Sequence, residues 1–333
     1  MKSVAGTLLL GLAVALLAKS TGACAAPPRL DAVRIAGREY VRASQWAAAR
    51  GFSTRWLRRD ETMQLSRDSS TVVLKADGRE AQINGVQVWL SYPVMLRNGS
   101  LFVSRLDWQT ALEPILIPSR PTAGLKLRTI CLDPGHGGRD PGNEVGSNQE
   151  KKYSLLLAQE LRDQLTRAGF NVILTRTRDT YVELDWRPMS AKRRKADLFI
   201  SLHFNSAESS RSSVRGCEVY CLAPPGASST NARGERGPGE WSAGHRYSSQ
   251  SMLLAYQLQK SLTQTLAVED RGVRRARFAV LREAAMPAVL VEAGFMSHPA
   301  EGRKIFTAEY RRQIARAIAG GVTAFQRVVE RPQ

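Results

Sequence analysis

The chain has 333 residues, 43% of them hydrophobic, and a formal net charge of +18. A chain of this length exceeds the usual single domain, so we expect two domains, each with apolar residues enough to build a core. The positive charge favours polyanions of any kind, whether wall polymers, lipid headgroups or nucleic acid. Because aromatic residues make up only 7% of the chain and no nucleic-acid motif occurs, we do not expect nucleic acid as a partner.

The first 25 residues have the features of a secretory signal peptide. Lys2 precedes an apolar run over residues 4–18, and Ala23-Cys24-Ala25 forms a small-residue cleavage site. The apolar run is shorter than the ~20 residues that a membrane-spanning helix needs, so no transmembrane segment is predicted. We therefore expect export to the periplasm or cell envelope. Lipoprotein processing at Cys24 is the less favoured alternative, since Thr21 stands where such signals usually carry leucine.

Three cysteines remain once the signal is removed: Cys131, Cys217 and Cys221. An odd number of cysteines permits one disulfide at most. Both one bridge and three partly buried free thiols are compatible with this pattern.

Residues 27–116 are predicted to form a small α+β module. Short strand patterns alternate with turn signals such as Asn98-Gly99, and one helix over 43–50 ends at Gly51. The segments VRIAGREYVRASQWAAARGF and INGVQVWLSYPVMLRNGSLFVSRLDWQTAL loosely resemble the N-terminal domain of copper amine oxidases. Because the module has no histidine, the resemblance implies binding or spacing rather than catalysis. Residues 117–126 are predicted to be a linker.

Residues 127–330 show strands alternating with longer helices, which predicts an α/β domain with an open, twisted, mostly parallel sheet and helices on both faces. A loop over 223–249, rich in glycine, serine and proline, is predicted to be a mobile lip beside the site, because long loops in compact domains are usually functional or disordered. The predicted strands cover 128–132, 171–175, 198–203, 216–222, 278–281 and 288–292, and the predicted helices cover 151–168, 186–195, 251–266 and 310–329.

Four polar residues lie at the ends of these elements. His136 follows a strand in a glycine-rich turn, His203 and Glu292 end strands, and Glu150 begins a helix. Functional groups of open α/β sheets collect at the carboxyl ends of the strands, so we expect the four to converge. Two histidines and a carboxylate are ligands for catalytic zinc, and a second carboxylate can act as general base. The same ligands also suit non-haem iron.

Each residue also has a plain structural interpretation. His136 is compatible with a turn residue, and His203 with a core histidine on a strand. Glu150 follows Ser147 at the spacing of a capping box, in which it would only satisfy the start of the helix. Glu292, at the end of an apolar strand, is compatible with a carboxylate that reaches solvent. Four such groups at strand ends in one domain nevertheless favour a common site.

Residues from about 128 to 329 resemble the zinc-dependent N-acetylmuramoyl-L-alanine amidases of the amidase 3 family. The resemblance implies that Zn²⁺ is held by His136, Glu150 and His203, that Glu292 is the catalytic carboxylate, and that Arg187 and Asn205 lie at the substrate site. Peptidoglycan would be the substrate, cut at the amide between N-acetylmuramic acid and L-alanine. The matching segments are ICLDPGHGGRDPGN, EKKYSLLLAQELRDQL, GFNVILTRTRDTYVEL, RPMSAKRRKADLFISLHFNSA and DRGVRRARFAVLREAAMPAVLVEAGFMSHPAE.

Some features depart from the family's pattern or leave alternatives open. His298 stands where asparagine is usual and is expected to be exposed, and neither it nor His245 is expected at the site. An activator protein or a wall polymer is a further partner that the chain could engage. The main alternative function is a catalytically silent wall-binding or activator protein that keeps the amidase fold. A third alternative, polyanion binding, depends on charge alone.

Overall fold

The structure is a computed structural model that describes residues 30–118, 126–231, 237 and 239–330. The expected signal peptide, with Cys24, and most of the expected linker lie outside the described residues. Within these ranges, none of the helices combines the length and the apolar character that crossing a membrane requires.

Eleven strands form one continuous mixed sheet, and four others form a small antiparallel sheet in the N-terminal part. A third, two-stranded hairpin leads into the first long helix. The strands are β1 (Ala32–Ile35), β2 (Arg38–Arg42), β3 (Ser53–Arg58), β4 (Thr62–Arg67), β5 (Ser70–Lys75), β6 (Glu80–Ile83), β7 (Val86–Trp89), β8 (Met95–Arg97), β9 (Ser100–Ser104), β10 (Thr129–Pro134), β11 (Glu144–Val145), β12 (Asn148–Gln149), β13 (Asn171–Leu174), β14 (Leu198–Asn205), β15 (Cys217–Leu222), β16 (Asp270–Ala276) and β17 (Ala288–Phe295).

The sheet of the C-terminal part is mostly parallel, as predicted. β10 lies between β13 and β14 and is parallel to both, and β17 is parallel to β14. β15 runs antiparallel to β17 and parallel to β16. The carboxyl ends of β10, β14 and β17 therefore meet at one edge, which is where ligands bind in open α/β sheets.

Helices cover both faces of this sheet, which confirms the predicted fold class. One face carries α4 (Glu150–Arg167), α6 (Ser248–Leu266) and α9 (Ala308–Val329), whose apolar side chains pack with the strands in the main core. The opposite face carries α5 and α7 over a smaller core. The helices are α1 (Ala43–Ala49), α2 (Arg105–Asp107), α3 (Glu113–Leu116), α4 (Glu150–Arg167), α5 (Trp186–Arg193), α6 (Ser248–Leu266), α7 (Ala279–Arg282), α8 (Pro299–Ile305) and α9 (Ala308–Val329), with a π-helical turn at Trp108–Leu112 and a 3₁₀ turn at Ala243–Tyr247.

Two secondary-structure predictions were wrong. The strand expected at 278–281 is helix α7, and the neighbouring strand is β16, which was not predicted. β16 holds the sequence DRGVRRA, whose arginines interrupt the alternation of apolar and polar residues that marks a strand. These arginines find partners inside the fold, so the charges do not prevent the segment from being buried.

Two expectations about loops and exposure also need correction. His298, expected to be exposed, is buried and caps helix α8 by accepting a hydrogen bond from the Glu301 amide. The 223–249 segment is not structureless in its described parts, since Thr230 is buried and donates its hydroxyl to the Arg275 carbonyl. The Ser242 amide donates to His245 Nδ1, and His245 Nε2 lies 2.9 Å from the Ala223 carbonyl oxygen. These two contacts hold the 3₁₀ turn in place. Residues 232–236 and 238 lie outside the described residues.

The N-terminal part is joined to the C-terminal part through the sheet itself. β7 pairs in parallel with β16, and the Trp89 indole donates to the Arg271 carbonyl at 2.9 Å. The Gln87 amide donates to Asp270, and Gly272 lies so close to this strand that a Cβ would be 3.0 Å from Trp89 Cδ1. One core therefore runs through both parts, while the division into domains at 117–126 stays a prediction.

Candidate metal centre

His136 lies in a tight turn that follows β10. The turn is fixed because the Gly135 amide donates to the Leu202 carbonyl, and His136 itself has a left-handed backbone with φ of 62°. Residues other than glycine adopt this conformation infrequently, and such strain concentrates at functional sites. The Nδ1 atom of His136 lies 2.8 Å from an Asp140 carboxylate oxygen, which orients the ring and leaves Nε2 facing inward.

Glu150 is almost fully buried at the first position of α4. Its Oε2 accepts hydrogen bonds from the amide and side chain of Asn143, and its Oε1 accepts one from the Phe204 amide. The capping-box interpretation is wrong, because Gln149 rather than Ser147 is the N-cap residue. The carboxylate is thus held by several donors and points toward the two histidines.

His136, Glu150 and His203 form one cluster. Glu150 lies 3.1 Å from His136 Nε2 and 2.8 Å from His203 Nδ1, and the candidate ligand atoms all lie within 4.8 Å of one another. The two imidazoles are nearly perpendicular, with ring centroids 4.9 Å apart. This set of two nitrogens and one carboxylate oxygen fits a four-coordinate zinc ion that keeps one open position.

Two glycines leave room for the cluster. A Cβ on Gly135 would lie 2.2 Å from His203 Cε1, and a Cβ on Gly142 would lie 2.6 Å from His136 Cδ2. Side chains at either position would displace the imidazoles. The backbone at these two glycines therefore leaves the space that the imidazole rings occupy.

Electrostatics within the cluster favour a charged carboxylate. Burial alone would raise the pKa of Glu150, but hydrogen bonds and charge from His136 and His203 lower it well below its ordinary value. Burial lowers the pKa of His136, yet Glu150 and Asp140 outweigh it and raise that pKa. Both shifts arise because the buried Glu150 carboxylate favours positive charge beside it, which a bound cation would supply.

Glu292 lies on β17, where it is aligned with His203 on one neighbouring strand and with Glu218 on the other. Its Oε2 is shielded from solvent and has no hydrogen-bond partner among the described residues. Burial and the carboxylates of Glu150 and Glu218 raise the pKa of Glu292 well above its ordinary value. A carboxyl that lines the cavity and has one shielded, unpaired oxygen beside a candidate metal centre is suited to proton transfer.

Arg187 and Asn205, the predicted substrate residues, both line the cavity but have partners within the protein. The buried Arg187 guanidinium donates to Asp133 and to the Pro134 and His136 carbonyls, which fastens the metal-ligand turn to α5. The Asn205 amide donates to Glu218 at 2.9 Å. A role in substrate binding stays a prediction for both residues.

Glu218 is a buried site residue that was not predicted from the sequence. It accepts hydrogen bonds from Asn205 and the Tyr220 hydroxyl, and it forms ion pairs with Arg271 and Arg274 at 3.2 and 2.8 Å. Residues 218 and 271–274 are far apart in the chain, and only the pairing of β15 with β16 brings them together. The one signal in the sequence was an acidic residue inside an otherwise apolar predicted strand.

All of these side chains line one cavity of about 730 Å³, within the usual size for a small-ligand site. An open α/β sheet with a His-Glu-His cluster and an unpaired carboxyl oxygen at its strand ends is an arrangement that could hold one metal ion beside a proton-transfer group. The family model of the N-acetylmuramoyl-L-alanine amidases matches residues 130–324, more than half of the chain, and the chain belongs to this family. Residues 24–111 match the copper amine oxidase N-terminal domain, which confirms the resemblance of the N-terminal module.

Individual relatives agree with this assignment. The chain is 36% identical to the N-acetylmuramoyl-L-alanine amidase AmiC of Neisseria meningitidis serogroup B, over 59% of this chain and 52% of that protein, so it spans about half of that relative's length. An amidase structure from Clostridium difficile 630 has 30% identity and a TM-score of 0.51, covering 60% of this chain and 97% of that one. The CwlD amidase of Clostridioides difficile, in complex with the GerS lipoprotein, has 27% identity and a TM-score of 0.51, covering 60% and 99%.

Proposed function

We propose that the protein is a zinc-dependent N-acetylmuramoyl-L-alanine amidase that cuts the amide between the lactyl group of N-acetylmuramic acid and L-alanine in peptidoglycan. The observation that carries this proposal is the convergence of His136, Glu150 and His203 on one point, with Glu292 on the adjacent strand. Membership in the amidase family supplies the substrate class.

The three-residue cluster would hold the zinc ion. A zinc ion bound there would polarise the amide carbonyl and lower the pKa of a water molecule. Asp140 fixes the orientation of His136, and Asn143 holds Glu150 through two hydrogen bonds. These outer contacts keep the ligand atoms in place while substrate enters and leaves.

Glu292 would move the protons. Its carboxyl lines the cavity and has no protein partner at Oε2 among the described residues, so the carboxyl could accept a proton from the attacking water and return it to the departing amine of L-alanine. Glu218, with its two arginines, fixes the neighbouring strand position and adds negative charge that raises the proton affinity of Glu292.

We propose further that the chain is exported by residues 1–25 and acts in the periplasm or cell envelope. Residues 27–116 would form an accessory module, 117–126 a linker and 127–330 the catalytic domain. The basic surface would favour contact with an anionic wall polymer, and an activator protein would be a further partner in view of the complex that CwlD forms with GerS.

Product analysis tests the proposed bond. Residues 26–333 incubated with purified sacculi should release stem peptides that carry a new amino-terminal alanine. The Glu292→Gln variant should lose ~10²- to 10⁴-fold in turnover, as expected for removal of a general base, and should keep its zinc affinity. Equal turnover by this variant would exclude Glu292 as the base. Absence of any new alanine amino terminus with wild-type protein would favour the alternative of a silent wall-binding protein.

A further inference from the structure

Exposed apolar side chains are concentrated in one short segment beside the cavity. Of the seven large apolar side chains that are exposed in the described ranges, four fall between residues 181 and 189. Single exposed apolar residues are normal, whereas a concentration of them marks a binding surface. We call this group the 181–189 patch, and it consists of Tyr181 (37% exposed), Leu184 (54%), Trp186 (44%) and Met189 (44%).

The patch is fastened to the metal-ligand turn. Arg187 lies within the segment and is buried beneath it, donating to the Val182 carbonyl on one side and to the His136 carbonyl on the other. Trp186 and Met189 are three residues apart on α5, so both side chains lie on its outer face. Leu184 lines the cavity itself. The patch therefore begins at the rim of the cavity and continues outward along the surface.

A second part of the cavity lining holds a charged network. There the lining includes Asn205, Glu218, Arg271 and Arg274, which are linked by hydrogen bonds and ion pairs. The cavity thus meets the apolar patch at Leu184, while this second part of its lining holds charged and amide groups.

The two groups joined by the proposed scissile amide differ in the same way. On the acyl side, the lactyl group connects directly to a pyranose ring, whose axial C–H bonds form an apolar face. On the amine side, the peptide carries amide and carboxylate groups, which are costly to bury unless they find polar partners. A pyranose ring stacked on an aromatic or aliphatic surface buries apolar area, and its hydroxyls stay in water at the ring edge.

We propose that the 181–189 patch binds the glycan strand, with a sugar ring stacked on Trp186, while the peptide lies along the Glu218 side. The identity of the occupant depends on the proposed function. Continuity with the cavity favours a glycan, because only a few bonds separate the sugar ring from the amide carbonyl. A stable protein partner would need roughly 800 Å² on this side, more than four partly exposed side chains of one short segment provide.

Glycan binding is measured directly with the full mature chain. Glycan strands stripped of stem peptides are the probe, because they contain the sugars and lack the scissile amide. We expect Trp186→Ala to weaken binding about tenfold, a usual loss when an aromatic anchor is truncated. The Trp186→Phe variant should retain most of the binding. Trp241→Ala is the matched control, since Trp241 is 62% exposed and is not among the residues that line the cavity.

Kinetics on intact peptidoglycan give a second readout. Trp186→Ala should raise KM about tenfold and leave kcat within about twofold, since the side chain contacts the glycan and not the reacting atoms. Zinc affinity and thermal midpoint should match those of wild type, which shows that the surface substitution leaves the fold intact.

The outcomes separate the two proposals. If glycan binding and KM are unchanged in Trp186→Ala, or if Trp241→Ala loses as much, the patch assignment is overturned even when the enzyme is active. If wild-type protein binds peptide-free glycan through Trp186 but hydrolyses no amide, the patch assignment stands and the proposed function fails.

Discussion

Gly135→Ala tests whether the backbone is shaped around the metal-ligand positions. A methyl group at this position would lie 2.2 Å from His203 Cε1 and 2.5 Å from Nε2, whereas real Cβ contacts are essentially never shorter than 3.0 Å. The His203 ring must therefore move by about 1 Å, the scale at which misplacement costs ~10²-fold in rate. The ring now lies 2.8 Å from Glu150, so this movement also separates two ligands.

Turnover on sacculi and zinc affinity are measured for this variant and for a matched control. Gly78→Ala adds the same methyl group at a position where its nearest neighbour would be the Lys75 carbonyl oxygen at 3.5 Å, an ordinary contact. The backbone of Gly78 is not left-handed, so alanine is not strained there. We expect Gly135→Ala to lose at least ~10²-fold in turnover and ~10-fold or more in zinc affinity. Gly78→Ala should match wild type in both measurements. The reasoning is refuted if Gly135→Ala keeps wild-type turnover and zinc affinity.

Three further substitutions probe the surroundings of the site. Glu218→Gln removes the counter-charge of Arg271 and Arg274, and should cost about 3 kcal/mol of unfolding free energy in denaturant titrations; an unchanged midpoint would contradict the ion-pair network. Trp89→Phe removes the indole bond to the Arg271 carbonyl and should cost about 1 kcal/mol of unfolding free energy; an unchanged denaturation midpoint would argue against this contribution. Burial raises the pKa of Glu301, so the folded state binds this proton more tightly and stability should fall as pH rises through and above the ordinary glutamate range; Glu301→Gln should flatten this fall in thermal midpoint.

Local sequence patterns predicted much of the fold and of the candidate site. The glycine-rich turn after an apolar strand located His136, and the apolar run that ends in His203 located a second strand end. Parallel strands place their carboxyl ends together, so these two signals sufficed to predict a shared edge. The structure brings both histidines to Glu150, while the catalytic and ligand roles stay predictions until metal and substrate are present.

Long-range pairing and buried charge could not be predicted in the same way. β16 was missed because Arg271, Arg274 and Arg275 hide its strand pattern, and Glu218 was missed because its partners lie on that strand. β7 and β16 pair through Val88 and Val273, which are about 185 positions apart in the chain. No local sequence pattern encodes such a pairing. The N-terminal module thus contacts the strand that forms the polar wall of the cavity.

The reversible loss of amidase activity on zinc removal is the most direct test of the central claim. Mature protein treated with a chelator should stop releasing alanine-terminated stem peptides from sacculi, and one equivalent of Zn²⁺ should restore the release. His203→Ala should show no restoration at that concentration, because it lacks one of the three ligands. Full activity in chelated protein, or equal restoration in His203→Ala, would contradict the account.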